Sequence, residues 1–189
     1  MPGDIEHFAL QAQWAAWLAV HHAESGGVWL RLAKKGSPHS SVSYAEALEV
    51  ALCFGWVDGQ KKAEDEHSWL QRFTPRTAKS IWSKINREKA LKLIERGYMQ
   101  PPGLAAIERA RSDGRWDAAY DPASTSLVPA DLQAALDANK PAKAFFATLN
   151  AQNRYAILFR IQTAKKTETR AKKILQFVTM LSRRETLYP

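Results

Sequence analysis

Asp58 lies in the string Gly55-Trp56-Val57-Asp58-Gly59. A carboxylate held at a turn beside an indole can contact a ligand or act as a general base, with Trp56 as a stacking wall. The plainer alternative is that Asp58 bonds turn amides and Trp56 fills core, since Asp-Gly turns are common without chemistry. A second group follows. Arg72, Arg76, Lys79, Trp82 and Asn86 interleave cations and an amide with an aromatic ring across a strand-to-helix junction. Arginine forks take phosphate or carboxylate at two points, and a helix start adds oriented N–H donors, so this group suits an anion. Its alternative is local pairing of Arg72 and Arg76 with Asp58 or Glu64, the stems lying over Trp82. Trp56, Asp58, Arg72, Arg76, Trp82 and Asn86 are therefore the ligand-binding candidates.

Other chemistry finds little support. No HExxH, P-loop, GxGxxG or GxSxG string occurs. His21 and His22 are adjacent, so on a helix they point about 100° apart and cannot chelate as an i,i+4 pair. His67 stands beside Asp65 and Glu66 in what reads as a solvated loop. Cys53, the only cysteine, sits between Leu52 and Phe54 and reads as an inert buried thiol. One cysteine permits neither an internal disulfide nor a cysteine-built metal site, which suits a reducing compartment. No catalytic residue, metal or cofactor is assigned.

The net charge is +8, which permits nucleic acid, acidic lipid or other anions as partners. Between Arg160 and Arg184 eight Lys or Arg face one acid, Glu168. At about 100° per residue around an apolar face centred on Ile174, Lys165 and Lys172 fall opposite and Lys166 and Lys173 on the rim. Arg170 lies only about 40° from the centre. The charge does not form one stripe. A buried arginine needs a carboxylate or carbonyl partner, so Lys166, Arg170 and Lys173 are candidates for a structural or anion-binding role.

The elements that must position these residues can be read from periodicity and caps. Trp14, Trp17, Leu18 and His21 predict a helix from Gln11 to about His22. Alternation predicts a small antiparallel sheet from segments near 28–33, 56–61 and 68–73, with Asp58-Gly59 as a tight turn. Ser43 and Glu46 form a capping-box pattern before a helix to about Phe54. Asn86 is expected to cap the next helix, and Pro101 and Pro102 to open another. A polar connection over 121–126 leads to a wholly helical end, with Pro129 and Pro141 opening helices and Asn150 and Thr167 as caps. The fold class is α+β, mostly α. An N-terminal part over 1–118 holds the sheet packed with helices, and a basic helical part over 129–189 packs on it as one compact unit. Hydrophobic residues at 46% and charged residues at 24% fit a globular chain rather than a disordered one. No run of 18 apolar residues occurs, and the first ten residues lack a signal-peptide pattern. A cytoplasmic protein is expected.

Several strings resemble a known family. They are Ser43-Tyr44-Ala45-Glu46-Ala47, Ala51-Leu52-Cys53-Phe54-Gly55-Trp56-Val57-Asp58-Gly59, Arg72-Phe73-Thr74-Pro75-Arg76, Ser80-Ile81-Trp82-Ser83-Lys84-Ile85-Asn86 and Ala164-Lys165-Lys166-Thr167-Glu168-Thr169-Arg170. Together, from about Trp14 to Ile174, they resemble the YdeI/OmpD-associated, or bacteriocin-protection, family. The resemblance implies bacterial origin and a link to envelope stress or resistance to antibacterial peptides. It brings no established catalytic residues. Three functions remain open: a non-catalytic cytosolic binding protein for an anionic ligand or protein partner, a nucleic-acid-binding protein using the basic C-terminal helices, and a small-molecule enzyme with Asp58 and Arg76 in a cleft.

Overall fold

The computed structural model describes residues 4–189, and the chain divides into two compact units, one ending at Ala119 and one running from Tyr120 to Pro189. The first unit holds β1 (Ile5–Glu6), α1 (Gln11–His21), β2 (Val28–Ala33), α2 (Tyr44–Cys53), β3 (Trp56–Ala63), β4 (Ser68–Pro75), α3 (Lys84–Glu95) and α4 (Pro101–Ser112). Its sheet has the order β1-β2-β4-β3. The β2–β4 and β3–β4 pairs are antiparallel, as the alternation predicts. The sheet is nevertheless mixed, because β1 pairs parallel with β2 through Ile5↔Trp29 and Glu6↔Leu30. Two residues are too few to carry a period, so β1 escaped the sequence reading.

Asp58-Gly59 is not the hairpin turn. Backbone from Trp56 to Ala63 stays extended, and the register shifts between Asp58 and Lys61 to form a bulge. Gln71 fills it. Its buried amide donates to the carbonyls of Gly59 at 3.0 Å and Gln60 at 3.1 Å, groups that the shifted ladder does not pair. The chain reverses instead over 64–67, where Asp65 Oδ1 accepts the amides of His67 at 2.8 Å and Ser68 at 2.6 Å. A carboxylate two residues before the accepted amide stabilises a turn without any need for positive φ.

Val28, Leu30 and Leu32 bury one sheet face against Trp14 and Leu18 of α1 and Leu48 and Leu52 of α2. Trp29 and Arg31 alternate with them and project from the other face with their cross-strand neighbours Arg72 and Leu70. The capping box of α2 forms as expected, with Ser43 N–H donating to Glu46 Oε2 at 2.9 Å and Glu46 N–H to Ser43 Oγ at 3.3 Å. The cap of α3 is Ser83 rather than Asn86. Trp82 is buried in the core just before it, which fixes the entry point, and Asn86 N–H is the donor that Ser83 Oγ accepts at 3.1 Å.

The second unit is all helical: α5 (Ala130–Asp137), α6 (Lys140–Thr148), α7 (Ala151–Gln162) and α8 (Thr167–Ser182). Leu132, Leu136, Phe146, Ile157, Ile161, Phe177 and Leu181 form its core. Pro141 lies in the first turn of α6, Pro129 occupies the N-cap position of α5, and Asn150 caps α7 by accepting Asn153 N–H at 2.8 Å. Thr167 is the first helical residue of α8 and not its cap, a position taken by Lys166 without a side-chain bond.

The first unit contains a close helix approach that sets a test. In α4, a Cβ added to Gly103 would collide with the carbonyl oxygen of Cys53 and with Met99 Cε. Alanine improves helix propensity by about 1 kcal/mol over glycine, but backbone carbonyl cannot yield as a side-chain end can. Gly103→Ala is expected to lower stability by about 1–3 kcal/mol, the usual range for overpacking. Urea denaturation checks it, and a stabilised variant would show that α4 does not press on the end of α2.

Candidate functional site

The six ligand-binding candidates are distributed among several environments. Trp56 is core. Its indole N–H donates to the His22 carbonyl at 3.1 Å, and its ring stands edge-on to Trp14 and Trp17 at 6.3 and 6.1 Å. Asp58 lies at the rim of the same sheet face, where its Oδ2 accepts the Tyr44 hydroxyl at 2.7 Å. Arg76, Trp82 and Asn86 are buried together. The Arg76 guanidinium stacks 3.6 Å above the Trp82 ring and donates to the Ile81 carbonyl at 3.1 Å. Trp82 meets Trp116 at 4.8 Å, and Arg115, ion-paired with Asp113 at 2.7 Å, donates to the Ser80 carbonyl at 2.7 Å. Two arginines thus grip successive carbonyls of the loop before α3. Trp56 and Trp82 are walls of the core rather than of an open cleft.

Arg72 is different. Paired across the ladder with Trp29, it projects from the outer sheet face, opposite to Asp58, and its guanidinium lies 5.8 Å from the Trp29 ring. Among the described residues it has no carboxylate partner, and its Nη1 is shielded from solvent without a hydrogen bond. The sequence proposed Asp58 or Glu64 as its local acid. Glu64 is instead taken by Arg31, whose Nε and Nη2 fork it at 2.8 and 2.6 Å, while Ser68 Oγ donates to it at 2.9 Å. The Arg31 bond, aided by Ser68, holds the Glu64 carboxyl below the usual range. Gly27 lets Arg72 fold back: a Cβ there would lie 2.7 Å from the Phe73 carbonyl and 2.9 Å from Arg72 Nη2, at a φ of +125°. Trp29 and Gly27 were missed as site residues, although a tryptophan on the outward positions of β2 was a visible signal.

Next to this pair the outer face opens into a polar cavity of about 420 Å³, lined by His7, Arg31, Ser37, His39, Asp65 and Ser68. His7 Nε2 lies 3.0 Å from the Ser40 carbonyl, and His39 meets His67 edge-on at 6.2 Å. The Ser68 hydroxyl and the His67 amide hold Asp65 below its ordinary range. Burial pushes the Cys53 thiol up to about 11, which leaves it a protonated core residue.

In the second unit Arg170 forks Asp131, Nε to Oδ2 at 2.6 Å and Nη2 to Oδ1 at 2.9 Å, and its Nη1 donates to the Ile161 carbonyl at 2.9 Å. Its side chain is 26% exposed, so the guanidinium is largely covered and meets both a carboxylate and a carbonyl, as its place near the apolar face requires. Lys173 donates to the Arg160 carbonyl at 3.0 Å, and Lys166 is exposed. Among the described residues no three His, Cys, Asp or Glu gather as metal ligands, and no helix is long and apolar enough to cross a membrane.

Residues 6–106 match the family model described as Domain of unknown function (DUF8412). The chain belongs to this family. Its residues 125–184 also match the model described as Bacteriocin-protection, YdeI or OmpD-Associated, so the resemblance seen in the sequence is supported. Of the resembling strings only Ala164 to Arg170 falls in that match; those from Ser43 to Asn86 fall in the DUF8412 region, as do Trp29 and Arg72. No curated protein and no solved structure matches the chain.

The Arg170 fork sets a pH test. Its bond to Asp131 lowers the carboxyl's folded pKa, so the stabilisation is present above the unfolded aspartate value, about 3.9, and is lost as pH falls through the lower folded value. Arg170→Met should cost about 1–2 kcal/mol at neutral pH, less than the roughly 3–5 of a fully buried pair because the group is part-exposed. Its deficit should shrink in acid. Lys172→Met, on the exposed side of α8, should change stability by under about 0.5 kcal/mol. Equal losses in thermal melts of the two variants would show that the fork carries no stability.

Proposed function

We propose that the chain is a non-catalytic cytoplasmic binding protein that takes an anionic group of a ligand or partner on the outer face of its sheet. The observation that carries this reading is the Arg72 guanidinium: half-buried over Trp29, without a carboxylate partner among the described residues, and with one nitrogen desolvated and unbonded. Each such group is costly until an anion compensates it. Aromatic support and a planar fork suit carboxylate or phosphate recognition. The match to a bacteriocin-protection model over 125–184 supports placing this binding in protection against antibacterial peptides or envelope stress.

Asp58 and Arg76 favour an enzyme less, since one is bonded at the sheet rim and the other grips a loop carbonyl. Nucleic-acid binding by the C-terminal helices loses support because Arg170 and Lys173 are engaged within the unit.

Calorimetric titration with pyrophosphate and with citrate at low salt tests the proposal. Saturable binding is expected, weakened at least about tenfold in Arg72→Gln, since hydrogen bonds to charged groups contribute roughly 1.5–3 kcal/mol. Lys172→Gln should leave it unchanged. Absence of saturation by either anion at millimolar concentration, or an Arg72→Gln variant that binds like wild type, would remove the reading. Duplex retardation that falls steeply with salt, and vanishes when Lys165, Lys166, Lys172 and Lys173 are neutralised together, would transfer the function to the C-terminal helices.

A further inference from the structure

The second unit contains a cavity of about 530 Å³ whose walls include Tyr155, Phe159, Arg160 and Tyr188 around the small residues Ala151 and Ala156. Its volume is in the range of small-molecule sites. Ala151, Tyr155 and Phe159 stand at successive i,i+4 positions of α7, so one helix face supplies a floor and two rings. The Tyr155 and Phe159 rings lie 5.9 Å apart at 44°. Tyr155 is held in place by donating its hydroxyl to the Asp121 carbonyl at 3.1 Å.

The opposite wall is built by a buried amide. Asn153, 2% exposed, donates from Nδ2 to the Tyr188 carbonyl at 3.1 Å and accepts at Oδ1 the N–H groups of Leu187 and Tyr188, both at 3.0 Å. The side chain pairs with the backbone there as a neighbouring strand would, and so fixes where the Tyr188 ring stands. Arg160 donates from Nη1 to the Ala156 carbonyl at 3.1 Å and from Nη2 to the Tyr188 hydroxyl at 3.2 Å. Two of its five N–H donors are used, and no carboxylate pairs with it among the described residues.

We propose that this cavity binds a flat aromatic molecule carrying one anionic group, its ring among Tyr155, Phe159 and Tyr188 and its anion on Arg160. Among the described residues no acidic side chain lines the cavity. Residues 120–189 hold eleven Lys or Arg against five Asp or Glu, a balance of +6 that favours an anion. An aromatic cation is disfavoured by the same guanidinium. The site shares no residue with the outer sheet face, so it stands or falls independently of Arg72.

Titration of the full chain with 2-naphthoate, followed through the ring resonances of labelled Tyr, Phe and Trp, tests it. Tyr155, Phe159 and Tyr188 should shift saturably, and 2-naphthamide, the neutral analogue, should bind about tenfold more weakly, as should 2-naphthoate to Arg160→Gln. Because Arg160 also supports Tyr188, Tyr188→Phe measures that support alone: it keeps the ring, loses the hydroxyl bond, and should weaken binding less than Arg160→Gln does. Arg72→Gln should leave the titration unchanged. Unsaturated shifts at millimolar ligand, shifts centred on Trp29, equal affinity for the two naphthalenes, or a Tyr188→Phe loss as large as that of Arg160→Gln would each overturn the proposal.

Discussion

Two of the buried indole N–H groups find acceptors inside the apolar core, and the architecture of the first unit follows from how they do so. Trp14 donates to the carbonyl of Ala47 in α2, and Trp56 donates to the carbonyl of His22 at the end of α1, each at 3.1 Å. A buried donor left unmade costs about 1–3 kcal/mol, so each bond constrains more than it stabilises. The first sets α1 across α2, and the second ties the start of β3 to the end of α1. With Trp14 also packed on Phe73 at 5.8 Å, β4 is fixed beneath the same rings. Strand alternation does the rest: Phe73 faces inward, so Arg72 must face outward beside Trp29.

A chain with a net charge of +8 might be expected to display its cations. Many are instead used inside the fold. Arg76 and Arg115 clamp the loop before α3, Arg31 forks Glu64, Arg170 forks Asp131 and Lys173 meets a helix-end carbonyl. In each the donor meets an oxygen of the protein itself, and the stem covers apolar surface. Positive charge in the sequence is thus a poor guide to where an anion binds. A better guide is a cation that the fold positions but does not neutralise.

What could be read from the sequence was what repeats locally. Alternation located β2 and β4, and Ser43 with Glu46 located α2, because both signals lie within one element. The outward position of Trp29 was equally visible, yet its significance depended on Arg72, 43 residues away, and on a ladder register that no local pattern encodes. The bulge was hidden for the same reason. Asp58-Gly59 suits a turn in isolation, and only the amide of Gln71, arriving from the next strand, makes an extended bulge the better solution. Ser83 and Asn86 are both competent caps, and the burial of Trp82 decided between them. Asn153 is the extreme case, since nothing near it in sequence reveals that it anchors residues 187 and 188.

The identity of the unneutralised cations matters as much as their placement. A lysine half-buried without a counter-charge can relieve the strain on its environment by losing its proton, because its pKa falls readily on desolvation. Arginine does not, because its delocalised guanidinium is a far weaker acid than an ammonium group. At positions 72 and 160 the guanidinium is supported by an aromatic ring, Trp29 at 5.8 Å and Tyr188 at 5.8 Å. A ring face attracts a cation by roughly 0.5–2 kcal/mol depending on desolvation, enough to hold the group in position but less than a carboxylate fork would supply. Such a group is oriented in advance and, among the described residues, has no carboxylate partner. An anion arriving at the proposed sites would meet a fork whose orientation has already been set during folding, so less of its binding free energy would be lost to ordering the site.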